Sequence, residues 1–162
     1  MKASEYRRPE TIEEAWELAQ GEETTRYICG GTDLVLADRE LDRVVDLSGL
    51  DLRYLEETDD GVVFGAATTL EDLVRWPRAR GFAGGIVHDM AARFATPPIR
   101  NLATVGGNIA SAVPSADVPP PFIALGARAR FLTPEGEREE RPLEELFLDV
   151  RKTRLGRDGL LV

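Results

Sequence analysis

Apolar residues recur along this chain at two different spacings, which together predict a mixture of helices and strands. Near the start, Thr11 and Glu14 have the spacing of a capping box, in which a hydroxyl and a carboxylate satisfy N–H groups of the first helical turn. Apolar side chains then follow at helical intervals from Ile12, with Trp16 expected in the core, and Gly21 ends the pattern. The first segment therefore predicts an amphipathic helix.

A short βαβ-like unit is predicted next. Residues 26–29 form a β-type segment, Gly30-Gly31-Thr32 turns it into a helix over about 33–39, and a second strand covers 43–47. A strand, a helix and a strand in so short a space are typical of a parallel pair with its crossover connection.

The pattern changes near residue 50 and becomes one of antiparallel strands interrupted by helices. This change predicts an α+β fold with two lobes, residues 1–50 and residues 51–162. Because a strand begins where the chain ends, we expect the chain to be part of a longer architecture. The predicted elements are a hairpin over 52–57 and 62–66, helices starting at Thr69 and Ile86, a proline-rich loop over 96–101, a helix from Ser115 to Leu125, a hairpin over 128–132 and 137–141, a short helix over 143–147 and a strand from Leu160.

Composition and charge exclude several classes of function. The chain has 162 residues, of which 43% are hydrophobic and 30% charged, and 20 basic against 29 acidic residues give a net charge of −9. A nucleic-acid surface would need a basic patch, so nucleic acid is not an expected partner. No apolar stretch approaches the roughly 18 residues of a membrane span, and the N-terminus lacks the apolar segment of a signal peptide. We therefore expect a cytoplasmic protein.

The single cysteine and the single histidine limit the chemistry of the side chains. Cys29 alone cannot form an internal disulfide or hold a zinc ion or iron–sulfur centre, so no metal site is expected. A nucleophilic triad would have to use His88, because it is the only histidine, and no other feature of the sequence supports such a triad. With no catalytic constellation of side chains, any chemistry here would come from a bound cofactor that the protein orients.

Two Gly-Gly pairs in similar surroundings are the strongest candidates for a binding site. Gly30-Gly31 and Gly106-Gly107 each follow a β-type segment. A threonine flanks each pair, Thr32 the first and Thr104 the second. Successive backbone N–H groups in such turns form an anion-binding concavity. Neither pair matches the P-loop or the G-x-G-x-x-G pattern. Spacing alone leaves two unrelated tight turns as the alternative interpretation.

The residues around these pairs resemble the FAD-binding subunits of the xanthine dehydrogenase and carbon monoxide dehydrogenase family. The resemblance covers residues 6–162 and implies an FAD-binding domain of the PCMH type. It would have a small βαβ-like N-terminal lobe and a larger lobe with a mixed or antiparallel sheet, without the family's C-terminal domain. Its four motifs are Cys29-Gly30-Gly31-Thr32-Asp33-Leu34, the segment from Phe94 through Ile99-Arg100-Asn101 to Ile109, Ser115-Ala116-Asp117 with an apolar helix to Ala127, and Arg151-Lys152-Thr153 followed by Leu155.

The resemblance also implies which residues contact FAD. One group would wrap the pyrophosphate with its backbone N–H groups, with the Thr32 hydroxyl added, and a second group would close the opposite side. The first group is Tyr27, Ile28, Cys29, Gly30, Gly31, Thr32, Asp33 and Leu34, and the second is Thr104, Val105, Gly106, Gly107 and Asn108. The Asp117 carboxylate would accept hydrogen bonds from ribityl or ribose hydroxyls. Phe94 would lie at the flavin or adenine, and Leu161 would be an apolar flavin contact.

The function implied by the resemblance is electron transfer within a molybdenum-containing hydroxylase or dehydrogenase. A molybdopterin-binding large subunit would hydroxylate the substrate, and a [2Fe–2S] iron–sulfur subunit would pass electrons to FAD. The acceptor would be external, such as NAD or a quinone. Two alternatives stay open. One is a truncated, non-catalytic scaffold or interaction module without flavin, and the other is a different flavoenzyme with a substrate base and cap domain of its own.

Overall fold

A three-stranded parallel sheet occupies the N-terminal part of the chain. The structure is a computed structural model that describes residues 1–21, 24–37 and 40–162. Strands β1 (Lys2–Arg7) and β2 (Arg26–Ile28) both pair in parallel with β3 (Glu40–Asp46), which lies between them. Helix α1 (Ile12–Ala19) connects β1 to β2, and the Thr11 hydroxyl caps it by accepting from the Glu14 N–H. The predicted parallel pair and capped helix are thus confirmed.

The helix predicted over 33–39 is wrong for the described part of that segment. Residues 32–36 form turns, in which the Val35 N–H donates to the Gly31 carbonyl at 2.9 Å. Val35 is 51% and Leu36 85% exposed, so the segment buries little apolar surface, and a short helix with little packing is unstable. Asp38 and Arg39 lie outside the described residues. Strand β1 was missed because its side chains are mostly exposed and carry no alternating apolar pattern.

Antiparallel strands form the sheets of the remaining chain, as predicted. The strands are β4 (Leu55–Thr58) with β5 (Gly61–Phe64), β6 (Arg128–Leu132) between β7 (Arg138–Pro142) and β10 (Leu160–Leu161), and β8 (Phe147–Asp149) with β9 (Lys152–Thr153). Both expected hairpins are confirmed, and the strand at Leu160 pairs with β6. Strands β8 and β9 were not predicted, because only two or three residues form each of them.

Several short helices lie between these strands. The predicted helices after Thr69 and at Ile86 are confirmed, and the predicted loop over 96–101 contains a single helical turn that begins with two prolines. The helix predicted from Ser115 begins only at Pro119, where prolines fit because first-turn N–H groups have no helical partner. The predicted helix over 143–147 is a 3₁₀ turn, Leu143–Leu146. The helices are α2 (Leu70–Arg75), α3 (Ile86–Arg93), α4 (Pro97–Arg100), α5 (Val105–Ser111) and α6 (Pro119–Ala124).

Helix α5 replaces the turn that the sequence predicted at the second Gly-Gly pair. The Thr104 hydroxyl accepts from the Gly107 N–H at 3.1 Å and caps the helix. A Cβ at Gly106 would lie 2.7 Å from the Ala66 Cβ, so only glycine lets the helix pack this closely on the neighbouring chain. Glycine has low helix propensity, which is why the sequence favoured a turn.

Two clusters of buried apolar residues form the core. The larger cluster includes Leu70, Phe131 and Leu161, and Phe94 packs against it. The smaller cluster includes Ala15, Val45 and Leu132, and Trp16 packs against it partly buried, in agreement with its predicted core role. The mixture of helices and strands is confirmed, while the division into lobes at residues 1–50 and 51–162 stays a prediction.

The Leu70→Ala substitution is expected to destabilise the protein by about 2–5 kcal/mol, because Leu70 is fully buried in the larger cluster. The matched control is Leu148→Ala, since Leu148 is 60% exposed. Urea denaturation, monitored by circular dichroism, measures the free energy of unfolding of each variant. Equal destabilisation by the two substitutions would contradict this description of the core.

Candidate functional site

The two glycine segments predicted to bind a cofactor lie directly against each other. A Cβ built on Gly30 would lie 1.7 Å from the Leu102 carbonyl oxygen, so the two backbones meet with no room for a side chain. Cys29 precedes Gly30 at this contact and is partly buried. Burial raises the pKa of the Cys29 thiol, and the Asp46 carboxylate raises it further. The thiol is therefore protonated at neutral pH.

The first glycine segment presents free backbone N–H groups. Those of Gly30, Gly31, Thr32 and Asp33 donate to no described residue of the protein. Gly31 has φ +68, a left-handed conformation that turns the chain at this point. Successive N–H groups around such a turn form a concavity that suits an anion. Groups of this kind can donate hydrogen bonds to an anion.

The second glycine segment uses its N–H groups inside the protein. The donors of residues 105–108 bind, in order, the Thr68 carbonyl at 2.9 Å, the Ala66 carbonyl at 2.9 Å, the Thr104 hydroxyl at 3.1 Å and the Thr104 carbonyl at 3.0 Å. Gly107 is nevertheless exposed, and a Cβ there would meet only the Thr104 hydroxyl oxygen. This segment therefore presents an exposed glycine rather than unpaired donors.

Hydrogen bonds and an ion pair join the other predicted motifs to these segments. The Asn108 Oδ1 accepts from the Val118 N–H at 3.0 Å and so fixes the peptide beside Asp117, whose side chain is exposed. Arg151 lies 3.5 Å from the Asp33 carboxylate, and its own N–H donates to the Ala112 carbonyl at 2.8 Å. All four motifs are therefore connected to one another in the structure.

The apolar and aromatic candidates lie on the two core clusters. Tyr27 packs on the smaller cluster and donates its hydroxyl to the Asp158 carbonyl at 2.9 Å, and burial raises the pKa of its hydroxyl. Ile28 packs beside Gly31, and Leu34 is half-buried. Phe94 packs on the larger cluster.

Leu161 belongs to the same larger cluster and lines a cleft of about 420 Å³. The backbone of Gly106 and the side chain of Val105 line that cleft as well, and Phe64 and Phe122 contribute aromatic surface. The cleft thus brings Leu161 together with the second glycine segment.

Sequence reasoning missed Leu102 and gave Arg151 no role of its own. The Leu102 carbonyl matters through its backbone contact with Gly30, and no sequence signal marks a residue that acts in this way. Arg151 belongs to the fourth motif, but its pairing with Asp33 depends on a tertiary contact. Within residues 1–21, 24–37 and 40–162, no group of three or more histidine, cysteine or acidic side chains has the arrangement of a metal site. The helices described are all too short to cross a membrane.

Comparison with known proteins points to one family. Residues 2–162 match the family model described as the FAD binding domain in molybdopterin dehydrogenase. A xanthine dehydrogenase FAD-binding subunit of Escherichia coli is 31% identical over 97% of this chain and 55% of its own length. The glyceraldehyde dehydrogenase medium chain of Sulfolobus acidocaldarius is 29% identical over 86% of this chain and 51% of its own.

A solved structure has the same fold over nearly the whole chain. The structure of carbon monoxide dehydrogenase from Hydrogenophaga pseudoflava superposes with a TM-score of 0.89 and 29% identity, covering 97% of this chain and 56% of the other. This chain therefore spans about half the length of the relatives that it matches.

The Gly30→Ala substitution is expected to force the two glycine segments apart, because the added Cβ would overlap the Leu102 carbonyl oxygen. The expected loss of stability is about 1–3 kcal/mol, as for other overpacked sites. Cys29 should also react faster with a thiol reagent. Urea denaturation and the rate of thiol modification measure the two effects.

The matched control is Gly81→Ala. Gly81 is exposed, and a Cβ there would meet only the Arg78 carbonyl oxygen, at an ordinary 3.7 Å. If both substitutions leave stability and thiol reactivity equally unchanged, the described contact between the two segments is wrong.

Proposed function

The chain belongs to the family of FAD-binding domains of molybdopterin dehydrogenases, and from that membership we propose that it forms the FAD-binding part of an electron-transfer subunit in a molybdenum-containing hydroxylase or dehydrogenase. FAD is the cofactor of this family. When bound, FAD takes up electrons and releases them to another acceptor. The contribution of this chain is to bind and orient the cofactor.

The observation that carries the proposal is the set of N–H groups from Gly30 to Asp33 that donate to no described residue. Phosphate oxygens accept hydrogen bonds from such groups without needing a basic side chain. The Thr32 hydroxyl would add a donor at the same turn. Because the backbone of Leu102 and Ala103 packs against Gly30, a diphosphate bound at this turn would lie next to the second segment.

The remaining contacts of FAD follow from the same arrangement. The exposed Asp117 carboxylate would accept hydrogen bonds from ribityl or ribose hydroxyls, and Phe94 would contact the flavin or the adenine. Leu161, beside Gly106 in the cleft, would be an apolar contact of the flavin ring. The cofactor would then lie between the lobes formed by residues 1–50 and 51–162.

The partners follow from what this chain cannot do alone. With one cysteine it cannot hold a [2Fe–2S] centre, so electrons would reach FAD from a separate iron–sulfur subunit. Substrate chemistry would belong to a molybdopterin-binding large subunit, and an external acceptor such as NAD or a quinone would receive the electrons. A single cysteine also fits a cytoplasmic location.

The first test is an FAD titration of the purified chain, monitored by flavin fluorescence and by calorimetry. We expect a dissociation constant in the micromolar range or tighter, because the described donors of the first glycine segment need no change of partner to bind phosphate. A folded chain that binds no FAD would contradict the proposal and favour the flavin-free scaffold.

The Gly107→Val substitution is expected to weaken FAD binding at least about tenfold, because its branched side chain would stand on the exposed backbone surface that the cofactor approaches. Gly81→Val is the control for adding the same side chain to an exposed glycine elsewhere. Circular dichroism would check that both variants remain folded. Equal FAD affinity in Gly107→Val and the unsubstituted chain would show that the cofactor does not approach this surface.

A further inference from the structure

A buried ion pair connects helix α4 to helix α2 next to the candidate site. The Arg100 Nε donates to the Glu71 carboxylate at 3.0 Å, and the two side chains are only 13% and 11% exposed. The hydrogen bond from Arg100 is the largest of the causes that lower the pKa of Glu71, and a second bond from Arg75 adds to it against the effect of burial. The pair is therefore charged at neutral pH.

The same guanidinium also holds the end of helix α3. One of its terminal nitrogens donates to the Phe94 carbonyl at 3.2 Å and to the Ala92 carbonyl at 3.4 Å. The last carbonyls of a helix have no partner within it, so these bonds replace the missing helical ones. Arg100 thus contacts the backbone at the point where α3 ends and Phe94 begins the next segment.

The chain bends at this point. Ala95 has φ +39, in the left-handed region that residues with a side chain rarely adopt. Phe94 itself is half-buried against the larger core cluster. A strained corner of this kind persists only when surrounding contacts hold it, and Arg100 supplies contacts on its carbonyl side.

We propose that Arg100 is a positioning residue for the cofactor, which acts by holding the Phe94 corner between helices α3 and α4 while Glu71 fixes its guanidinium. This inference rests on the proposed function, because it takes Phe94 as a contact of FAD. Arg100 itself is bound to Glu71 and to backbone carbonyls, so its effect on FAD passes through the placement of the Phe94 ring.

Arg75 provides a matched comparison within the same cluster. Its Nε donates to the other oxygen of Glu71 at 3.1 Å, but its side chain is 71% exposed and no described contact joins it to the Phe94 corner. Removing Arg75 therefore takes away one partner of Glu71 and leaves the corner intact. Removing Arg100 takes away a partner of Glu71 and also the bonds to the Phe94 and Ala92 carbonyls.

The experiment compares FAD affinity in Arg100→Gln, Arg75→Gln and Arg100→Lys, each as the full chain. Arg100→Gln is expected to weaken FAD binding about tenfold, the lower end of what is lost when the group that orients a ligand contact is removed. Arg75→Gln should change the affinity less than about twofold, as befits an exposed ion pair. Arg100→Lys should restore only part of the loss, because one ammonium cannot reproduce the planar fork.

A double-mutant cycle with Phe94→Leu separates positioning from general destabilisation. If Arg100 acts through the ring, Arg100→Gln will weaken FAD binding in the Phe94 protein and have little further effect in the Phe94→Leu protein. The near-ultraviolet circular dichroism of bound flavin should change in the same way in Arg100→Gln and in Phe94→Leu. Additive losses of affinity would overturn the inference while leaving Phe94 as a contact.

Other outcomes have different consequences. If Phe94→Leu binds FAD as tightly as the unsubstituted chain, the assignment of Phe94 fails, and the inference fails with it. If the unsubstituted chain binds no FAD, the proposed function itself is contradicted. Should Arg100→Gln not fold, Arg100→Lys takes its place in the cycle, where additivity with Phe94→Leu would again overturn the positioning role.

Discussion

The structure depends on the backbone contact between Gly30 and Leu102. The loop after β2 and the segment before α5 come from distant parts of the sequence, and they meet where a side chain would overlap a carbonyl oxygen. Thr104, two residues after Leu102, caps α5 by accepting from the Gly107 N–H. The start of α5 and the loop that carries the N–H groups of Gly30 to Asp33 are therefore held together by one close approach, which only glycine permits.

The absence of a Cβ has a different structural role in each of the two Gly-Gly pairs. At Gly31 the absence of a Cβ permits a left-handed turn, which leaves the neighbouring N–H groups without a partner among the described residues. At Gly106 it permits a helix to pack against Ala66, and the N–H groups there are used within the protein. In the proposed site one segment thus supplies donors and the other supplies a close-packed surface.

How much the sequence could predict depended on whether an element is stabilised by a repeating pattern or by a particular contact. The capped helices after Thr11 and Thr69 and both hairpins carry their signals locally, and they were predicted. Strand β1 is held by pairing with β3 rather than by burial, so its side chains give no pattern. The helical state of α5 follows from the Thr104 cap and from packing on Ala66, which outweigh the low propensity of Gly-Gly. For the site, family resemblance could name the segments, but Leu102 and Arg151 act through tertiary contacts that no local signal encodes.

A net negative charge repels a diphosphate, and the structure contains features that would reduce this repulsion in the proposed site. The net charge is −9, and Asp33 lies at the end of the very turn that offers free N–H groups. Arg151 stands 3.5 Å from the Asp33 carboxylate and offsets its charge there. Backbone N–H dipoles act at short range and carry no net charge, so they do not attract other anions from a distance. In the proposed site, binding through the backbone, with the nearby carboxylate paired, would let a negatively charged protein hold a negatively charged cofactor.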